Sequence, residues 1–238
     1  MSDLVIITGA SSGLGLALAR TVPFPAAVVD ISRSGPPDDT VEHVTADLSD
    51  PSSWPTVGAE IRRLVDQHQP GRAVFIHAAG TLTPMGFAGE VDTDAYASNV
   101  VLNSASGQVL GHLFLEAMRG RSGRHDLVMV SSGAARSVYP GWSSYGAGKA
   151  ALDQWVRNVG SEQAERGAVH VSAIAPGVVA TPMQEEIRRM SERDFPNVER
   201  FHELHDEGKL TEPEEAARRF WEAIEGEIET GSVIDVRE

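Results

Sequence analysis

The sequence predicts an α/β fold: one domain over residues 1–238, built as a doubly wound parallel sheet of about seven strands with helices on both faces. Three observations predict it. Strand-like and helix-like segments alternate along the chain, and alternation of this kind favours parallel strands joined by helical crossovers. Leu4–Ile7 and Leu127–Val130 are unbroken apolar runs, as expected of strands buried on both faces. A group of glycines separates the first of these runs from the first helix-like stretch.

Taken in order, Leu4–Thr8 is the first strand and Leu14–Thr21 the first helix. Ala26–Ile31 and Val41–Thr45 are the second and third strands, separated by a Gly/Pro/Asp turn at Ser34–Asp39. Pro55–Gln67 reads as a helix, Ala73–His77 as the fourth strand, and Asp92–Met118 as one long helix. Leu127–Ser131 is the fifth strand. Ser143–Arg166 suits a helix because Tyr145, Ala147, Leu152, Trp155, Val156 and Val159 supply its apolar positions, and Gly167 can end it. Val169–Ile174, a helix at Pro213–Gly226 and a strand at Ser232–Val236 complete the series. No repeat and no linker interrupts it. In such sheets the ligand lies at the carboxyl ends of the strands, near the point where the strand order reverses.

The chain has 238 residues, enough for a substantial core. Its net charge of −14 argues against nucleic acid or an anionic membrane as partner. It has no cysteine, which excludes a disulfide framework and thiolate catalysis. No metal is expected. Met1-Ser2-Asp3 leads directly into a strand, and no apolar run reaches about 18 residues. The expectation is a soluble cytoplasmic protein.

Thr8-Gly9-Ala10-Ser11-Ser12-Gly13-Leu14-Gly15 is the first motif that carries chemistry. Glycines at 9, 13 and 15 allow a tight turn and a close backbone approach to a pyrophosphate, and the helix that follows offers free N–H groups and a favourable dipole. The second motif is Ser143-Ser144-Tyr145-Gly146-Ala147-Gly148-Lys149. Residues four apart share a helix face, so Lys149 can lie beside Tyr145. A nearby ammonium favours phenolate and lowers a tyrosine pKa from its ordinary value of about 10. Only two of the 20 basic residues are lysines, Lys149 and Lys209, so a compact, tunable ammonium stands where the task needs one. Ser132, at the end of the fifth strand, can donate to a carbonyl oxygen.

Thr8–Gly15, Ser132, Tyr145 and Lys149 together resemble the short-chain dehydrogenase/reductase family, in order and separation, over nearly the whole chain. Within it, Ser131-Ser132-Gly133-Ala134-Ala135, Tyr139-Pro140-Gly141-Trp142, Pro176 to Met183 and Arg200-Phe201-His202-Glu203-Leu204 are similar to the benzil reductase and sepiapterin reductase branch. The resemblance implies a Rossmann-type dinucleotide site with Gly9, Ser11, Ser12, Gly13, Leu14 and Gly15 at the phosphates. It implies Asp47 and Leu48 at the adenine and Ala79 and Gly80 at the ribose. It also implies Tyr145 and Lys149 beside the nicotinamide ribose, and Pro176, Gly177, Val179 and Thr181 at the nicotinamide. His77-Ala78-Ala79-Gly80 stands where the family has Asn-Asn-Ala-Gly, which puts side-chain bracing of the sheet there in question; His77 reads as a packed or loop histidine, not a catalytic one.

Val28-Val29-Asp30-Ile31-Ser32-Arg33-Ser34 contains both cofactor signals. An acid ending the second strand hydrogen-bonds the ribose hydroxyls of NAD, whereas an arginine accepts the extra phosphate of NADP. One register puts Ser32 and Arg33 at the discriminating positions and another puts Asp30 there; the first resembles the branch and favours NADP. The implied reaction is reversible hydride transfer to a ketone or 1,2-diketone, with Tyr145 as general acid, Ser132 holding the carbonyl oxygen and Asn99 supporting a proton relay. Asn103 is the nearest competitor for that relay. Residues 181–210 are expected to form a flap over the substrate, with Met183, Met190, Phe195 and Phe201 as its apolar members, and Trp142 lines the pocket. The partner is a small-molecule carbonyl compound, and the family implies a homo-oligomer formed through the two long helices. Two other readings remain open. One is a catalytically silent NAD(P)-sensing regulator, against which the intact Ser132, Tyr145 and Lys149 count. The other is an epimerase or dehydratase of the extended branch, against which the short C-terminal region counts.

Overall fold

The computed structural model describes residues 3–37, 39–167, 169–226 and 228–237. Met1 and Ser2 of the N-terminal reading, and Asp38 of the Ser34–Asp39 turn, lie outside them. Seven strands form one parallel sheet in the order β3-β2-β1-β4-β5-β6-β7. They are β1 (Asp3–Thr8), β2 (Ala26–Ser32), β3 (Glu42–Thr45), β4 (Arg72–His77), β5 (Arg124–Val130), β6 (His170–Ala175) and β7 (Val233–Asp235). β1 pairs with β2 on one side and β4 on the other, so the strand order reverses there. The crevice that this reversal opens lies beyond Thr8 and His77, which are register partners at the carboxyl ends of β1 and β4.

Alternate residues of β1 serve opposite layers, as the two-residue period of a strand requires. Leu4 and Ile6 pack with Ile61, Phe75, Phe114 and Leu152 on one face. That face is covered by α2 (Trp54–His68), α4 (Ser106–Met118) and α5 (Ser143–Arg166). Val5 and Ile7 pack on the other face with Leu18 of α1 (Gly13–Arg20) and with Phe220 and Trp221 of α8 (Pro213–Glu225). The indole N–H of Trp221 donates to the Leu18 carbonyl at 3.1 Å, fastening α8 to α1.

One expectation needed correction. The long helix at Asp92–Met118 is not uniform: α3 (Thr93–Val100) runs through a π-helical turn, Val101–Ala105, into α4. The wider turn coincides with Asn99 and Asn103 hydrogen-bonding the neighbouring loop at Thr81, and with the Ser106 hydroxyl donating to the Leu102 carbonyl at 2.7 Å. The segment expected to form a flap, residues 181–210, follows β6. It holds α6 (Pro182–Arg188) and α7 (Val198–Asp206), which build a third apolar cluster with Trp142 and Tyr145.

Candidate active site

The backbone of the glycine loop explains its composition. Gly9 has φ +76°, and a Cβ there would sit 2.8 Å from the Ala79 Cα. A Cβ on Gly15 would sit 2.3 Å from the Gly9 carbonyl oxygen. The loop therefore folds back on itself and meets β4 with no room for side chains. Ser12 is the N-cap of α1 but makes no side-chain capping bond, so its side chain leaves the first-turn N–H groups uncapped.

A single cavity of about 540 Å³ runs from this loop across the ends of the strands. One end is lined by Ile31, Ser32, Arg33, Asp47 and Leu48. The middle is lined by Ser11, Ser12, Gly13, Leu14, Ala79 and Gly80, and the far end by Ser132, Trp142, Tyr145, Lys149, Pro176, Gly177, Val179, Thr181 and Met183. The glycine loop, Arg33, Asp47, Leu48, Ser132, Tyr145, Lys149, Met183 and Phe201 lie on this surface, whereas Asp30, Met190 and Phe195 do not. Asp47 also serves its own turn, accepting the Ser49 N–H at 3.0 Å.

The two cofactor signals on β2 separate in space. Asp30 is fully buried. Its carboxylate accepts the Ala10 N–H at 2.7 Å, the Ser32 hydroxyl at 2.6 Å and the His43 Nδ1–H at 3.0 Å. It braces the glycine loop from behind and does not line the cavity. Arg33 does line it and is exposed.

The pair Tyr145 and Lys149 sits on the first turns of α5, against the end of β5. Ser132 is hydrogen-bonded to Tyr145. Lys149 is 3% exposed and donates to the Val130 carbonyl at 2.8 Å, and its ammonium lies 5.8 Å from the centre of the Tyr145 ring. Burial lowers the Lys149 pKa to about 8, with Asp153 pulling the other way. Burial also pushes the Tyr145 phenol above its ordinary value, and the Ser132 hydrogen bond opposes this. The sequence expectation was a tyrosine pKa lowered by Lys149; here burial dominates and holds the phenol above its ordinary value, with Ser132 the opposing influence.

Neither Asn99 nor Asn103 lines the cavity, and both are fully buried. The Asn99 amide donates to the Thr83 carbonyl at 2.9 Å and the Thr81 carbonyl at 3.2 Å. Asn103 donates to Thr81 and to the Asn99 side-chain oxygen, and accepts the Thr81 N–H at 3.1 Å. Its main-chain carbonyl faces α5, where a Cβ on Gly148 would come within 3.1 Å of it. The two asparagines stand four apart on one helix face, so spacing alone does not separate them.

His77 braces the sheet after all. The Thr8 hydroxyl oxygen accepts N–H groups from Ala78 and Ala79 at 3.2 Å each, so its proton is directed to His77 Nδ1, 3.0 Å away. Nε2 then carries the ring hydrogen and faces the Ser106 hydroxyl at 3.4 Å. Burial, and then the Lys149 charge, lower the His77 pKa to about 3, which keeps the ring neutral. The sequence did not mark Gln184, Ile187 or Arg237, which also line the cavity. Arg237 reaches it from the C-terminal strand by packing its side chain over Gly177 while paired with Asp235 at 2.6 Å. Among the described residues, no three acidic or histidine side chains form a metal site, and no helix is long and apolar enough to cross a membrane.

Comparison with known proteins matches this arrangement. The sequence pattern of the family described as short chain dehydrogenase matches residues 3–192. A benzil reductase ((S)-benzoin forming) of Bacillus subtilis is 32% identical over 240 residues, covering 99% of each chain. The crystal structure of a short chain dehydrogenase/reductase from Saccharomyces cerevisiae superposes with a TM-score of 0.82 at 24% identity, covering 99% of this chain and 96% of that one. ElxO with NADP bound superposes with a TM-score of 0.78 at 22% identity, covering 99% and 97%.

The neutral His77 makes a prediction about acid stability. Its folded pKa lies below the ordinary histidine value of about 6.5, so between the two the unfolded chain holds a proton that the folded chain does not. Stability conferred by the neutral ring is present above pH 6.5 and falls as pH drops towards 3, at up to about 1.4 kcal/mol per pH unit. Urea unfolding of His77→Asn at pH 7 and pH 4.5 will show a smaller loss between the two than the wild type; an unchanged loss contradicts the assignment.

Proposed function

The chain belongs to the short-chain dehydrogenase family, and from that premise we propose that it is an NADPH-dependent carbonyl reductase acting reversibly on a bulky ketone or 1,2-diketone. The observation that carries this reading is the placement of Ser132, Tyr145 and Lys149 at one end of the cavity that the glycine loop lines at its middle. When bound, NADPH supplies a hydride to the carbonyl carbon.

The residues fit such a cofactor. The cradle that a Cβ at Gly9 or Gly15 would fill is shaped for a backbone approach to a pyrophosphate, next to the uncapped start of α1. Arg33 faces the cavity, and Asp30 is turned away with its oxygens accepting from Ala10, Ser32 and His43. A phosphate on the adenosine ribose would then meet a guanidinium and not a carboxylate, which supports NADPH over NADH. Asp47 and Leu48 would flank the adenine, Ala79 and Gly80 the ribose, and Val179 and Thr181 the nicotinamide carboxamide.

Ser132 would hold the carbonyl oxygen while Tyr145 gives it a proton. Burial keeps the phenol protonated, which suits a donor. The Lys149 ammonium stabilises the phenolate that the transfer leaves behind. We assign the proton relay to Asn103 rather than Asn99: its carbonyl lies in the π-helical turn and faces α5 one residue before Lys149. The aromatic walls at Trp142 and Phe201 and the flap residue Met183 suit a bulky, aryl-bearing substrate. The Bacillus subtilis relative carries the name of an enzyme acting on such a diketone.

Three outcomes follow. Tyr145→Phe will lower kcat for NADPH-dependent reduction of an aromatic diketone by roughly 10²- to 10⁴-fold with little change in NADPH affinity; turnover that survives removes Tyr145 from the acid role, and tight NADPH binding without any wild-type turnover points to a sensor. Arg33→Ala will raise KM for NADPH about 10-fold or more, the worth of a charge-assisted hydrogen bond, and leave that for NADH unchanged; a preference for NADH in the wild type contradicts the reading. The Lys149 pKa is depressed, so its charge is present at neutral pH and lost as pH rises through about 8; the reduction rate, measured from pH 6 to 10, will fall across that step.

A further inference from the structure

Asp153 is a buried acid that the chemistry described so far does not use. It is 2% exposed and does not line the cavity. A carboxylate loses its hydration on burial, so folds keep one inside only where it is paired or hydrogen-bonded. The partners of Asp153 lead to the far end of the cavity. Val130, Ser131 and Ser132 are consecutive at the end of β5, and each engages a different turn of α5. The Val130 carbonyl accepts from Lys149 at 2.8 Å, the Ser131 hydroxyl donates to Asp153 at 2.5 Å, and Ser132 bonds Tyr145. The Ser131 N–H is held in turn by the Ile174 carbonyl of β6 at 2.9 Å. Tyr145, Lys149 and Asp153 follow one another at four-residue intervals and so share one face of α5. Lys149 stands between a phenol and a carboxylate.

We propose that Asp153 is a positioning residue for the reduction: as a buried anion one turn along α5 it holds Lys149 in its ammonium form, and through Ser131 it fixes the strand end that carries Ser132. This deepens the carbonyl reductase reading and rests on it. Lys149 is 3% exposed, and burial by itself drives an amine to give up its proton. A neutral amine would not stabilise the phenolate that proton transfer leaves on Tyr145. The Asp153 charge works against that loss. His77 on β4 is neutral, and Tyr145 carries no charge until it has given its proton away, so neither supplies the same support. Burial opposes the ionised form of Asp153, while the Ser131 hydroxyl, Arg157, Lys149 and Arg136 favour it.

The chain has two lysines, so the charge on Lys149 is directly readable. Lys209→Arg removes the other, exposed lysine, and the one lysine ¹³Cε resonance that remains belongs to Lys149. In that background Asp153→Asn keeps an oxygen for Ser131 and removes the charge. The Lys149 titration midpoint will fall by about one pH unit, as loss of a nearby opposite charge requires. The pH at which ketone reduction declines will fall with it. Ser131→Ala keeps the charge and removes the hydrogen bond; it will lower kcat by roughly 10-fold through misplacement of Ser132 and leave the midpoint in place. Asp153→Ser, neutral and smaller, gives the same comparison where the asparagine amide does not pack. A midpoint that stays in the neutral variants, or moves equally in Ser131→Ala, overturns the inference and leaves the reductase reading intact. A midpoint that falls while the pH profile of the rate does not follow overturns the positioning role. A wild type that reduces no ketone overturns the reductase reading, whatever the titration shows, and the positioning role with it.

Discussion

The Thr8 hydroxyl ties together the two strands that make the site. β1 and β4 are neighbours whose chains leave the sheet on different sides, and the crevice between them widens beyond their ends. Thr8 accepts two N–H groups from the chain leaving β4 and donates to His77 on the last residue of that strand. His77 in turn faces Ser106 at the start of α4, so a histidine and two hydroxyls connect the glycine loop, the Ala79–Gly80 wall and the helix that carries Asn103. Burial makes this arrangement firm: a neutral ring with both nitrogens engaged has no route to water.

Charge is distributed across the cavity in the same manner. The chain carries a net −14, yet Arg33 and Lys149 face the cavity while Asp30 is turned behind the glycine loop. A whole-molecule charge therefore says little about an anionic ligand; the orientation of a few side chains decides it. Desolvation shapes the far end of the cavity: burial lowers the Lys149 pKa to about 8 and raises that of the Tyr145 phenol.

Much of the fold was legible in the sequence because the central strands carry short apolar runs, as in Leu4–Ile7 and Leu127–Val130, and several helices have a marked end. Ser143–Arg166 was bounded by its apolar spacing and by Gly167, which adopts φ +67° as the C-cap. The glycine loop and the Tyr145–Lys149 spacing were legible for a similar reason: their geometry is local. What the sequence left unresolved depends on contacts between distant segments. Asp30 and Arg33 stand three apart on one strand end, and only the position of Ala10 shows which of them turns inward. Asn99 and Asn103 share a helix face, and only the approach of Gly148 distinguishes them. His77 looked like a lost asparagine until Thr8 and Ser106, from two other elements, were seen to bond it.

The central claim is that this cavity transfers a hydride between a nicotinamide and a carbonyl carbon. It is tested most directly by incubating the protein with an aromatic 1,2-diketone and NADPH deuterated at C4 on one face, then the other, and analysing the product by mass spectrometry. The account predicts one deuterium on the carbinol carbon from one of the two labelled forms and none from the other. A product without deuterium from either form, or NADPH that binds and is never consumed, would contradict it.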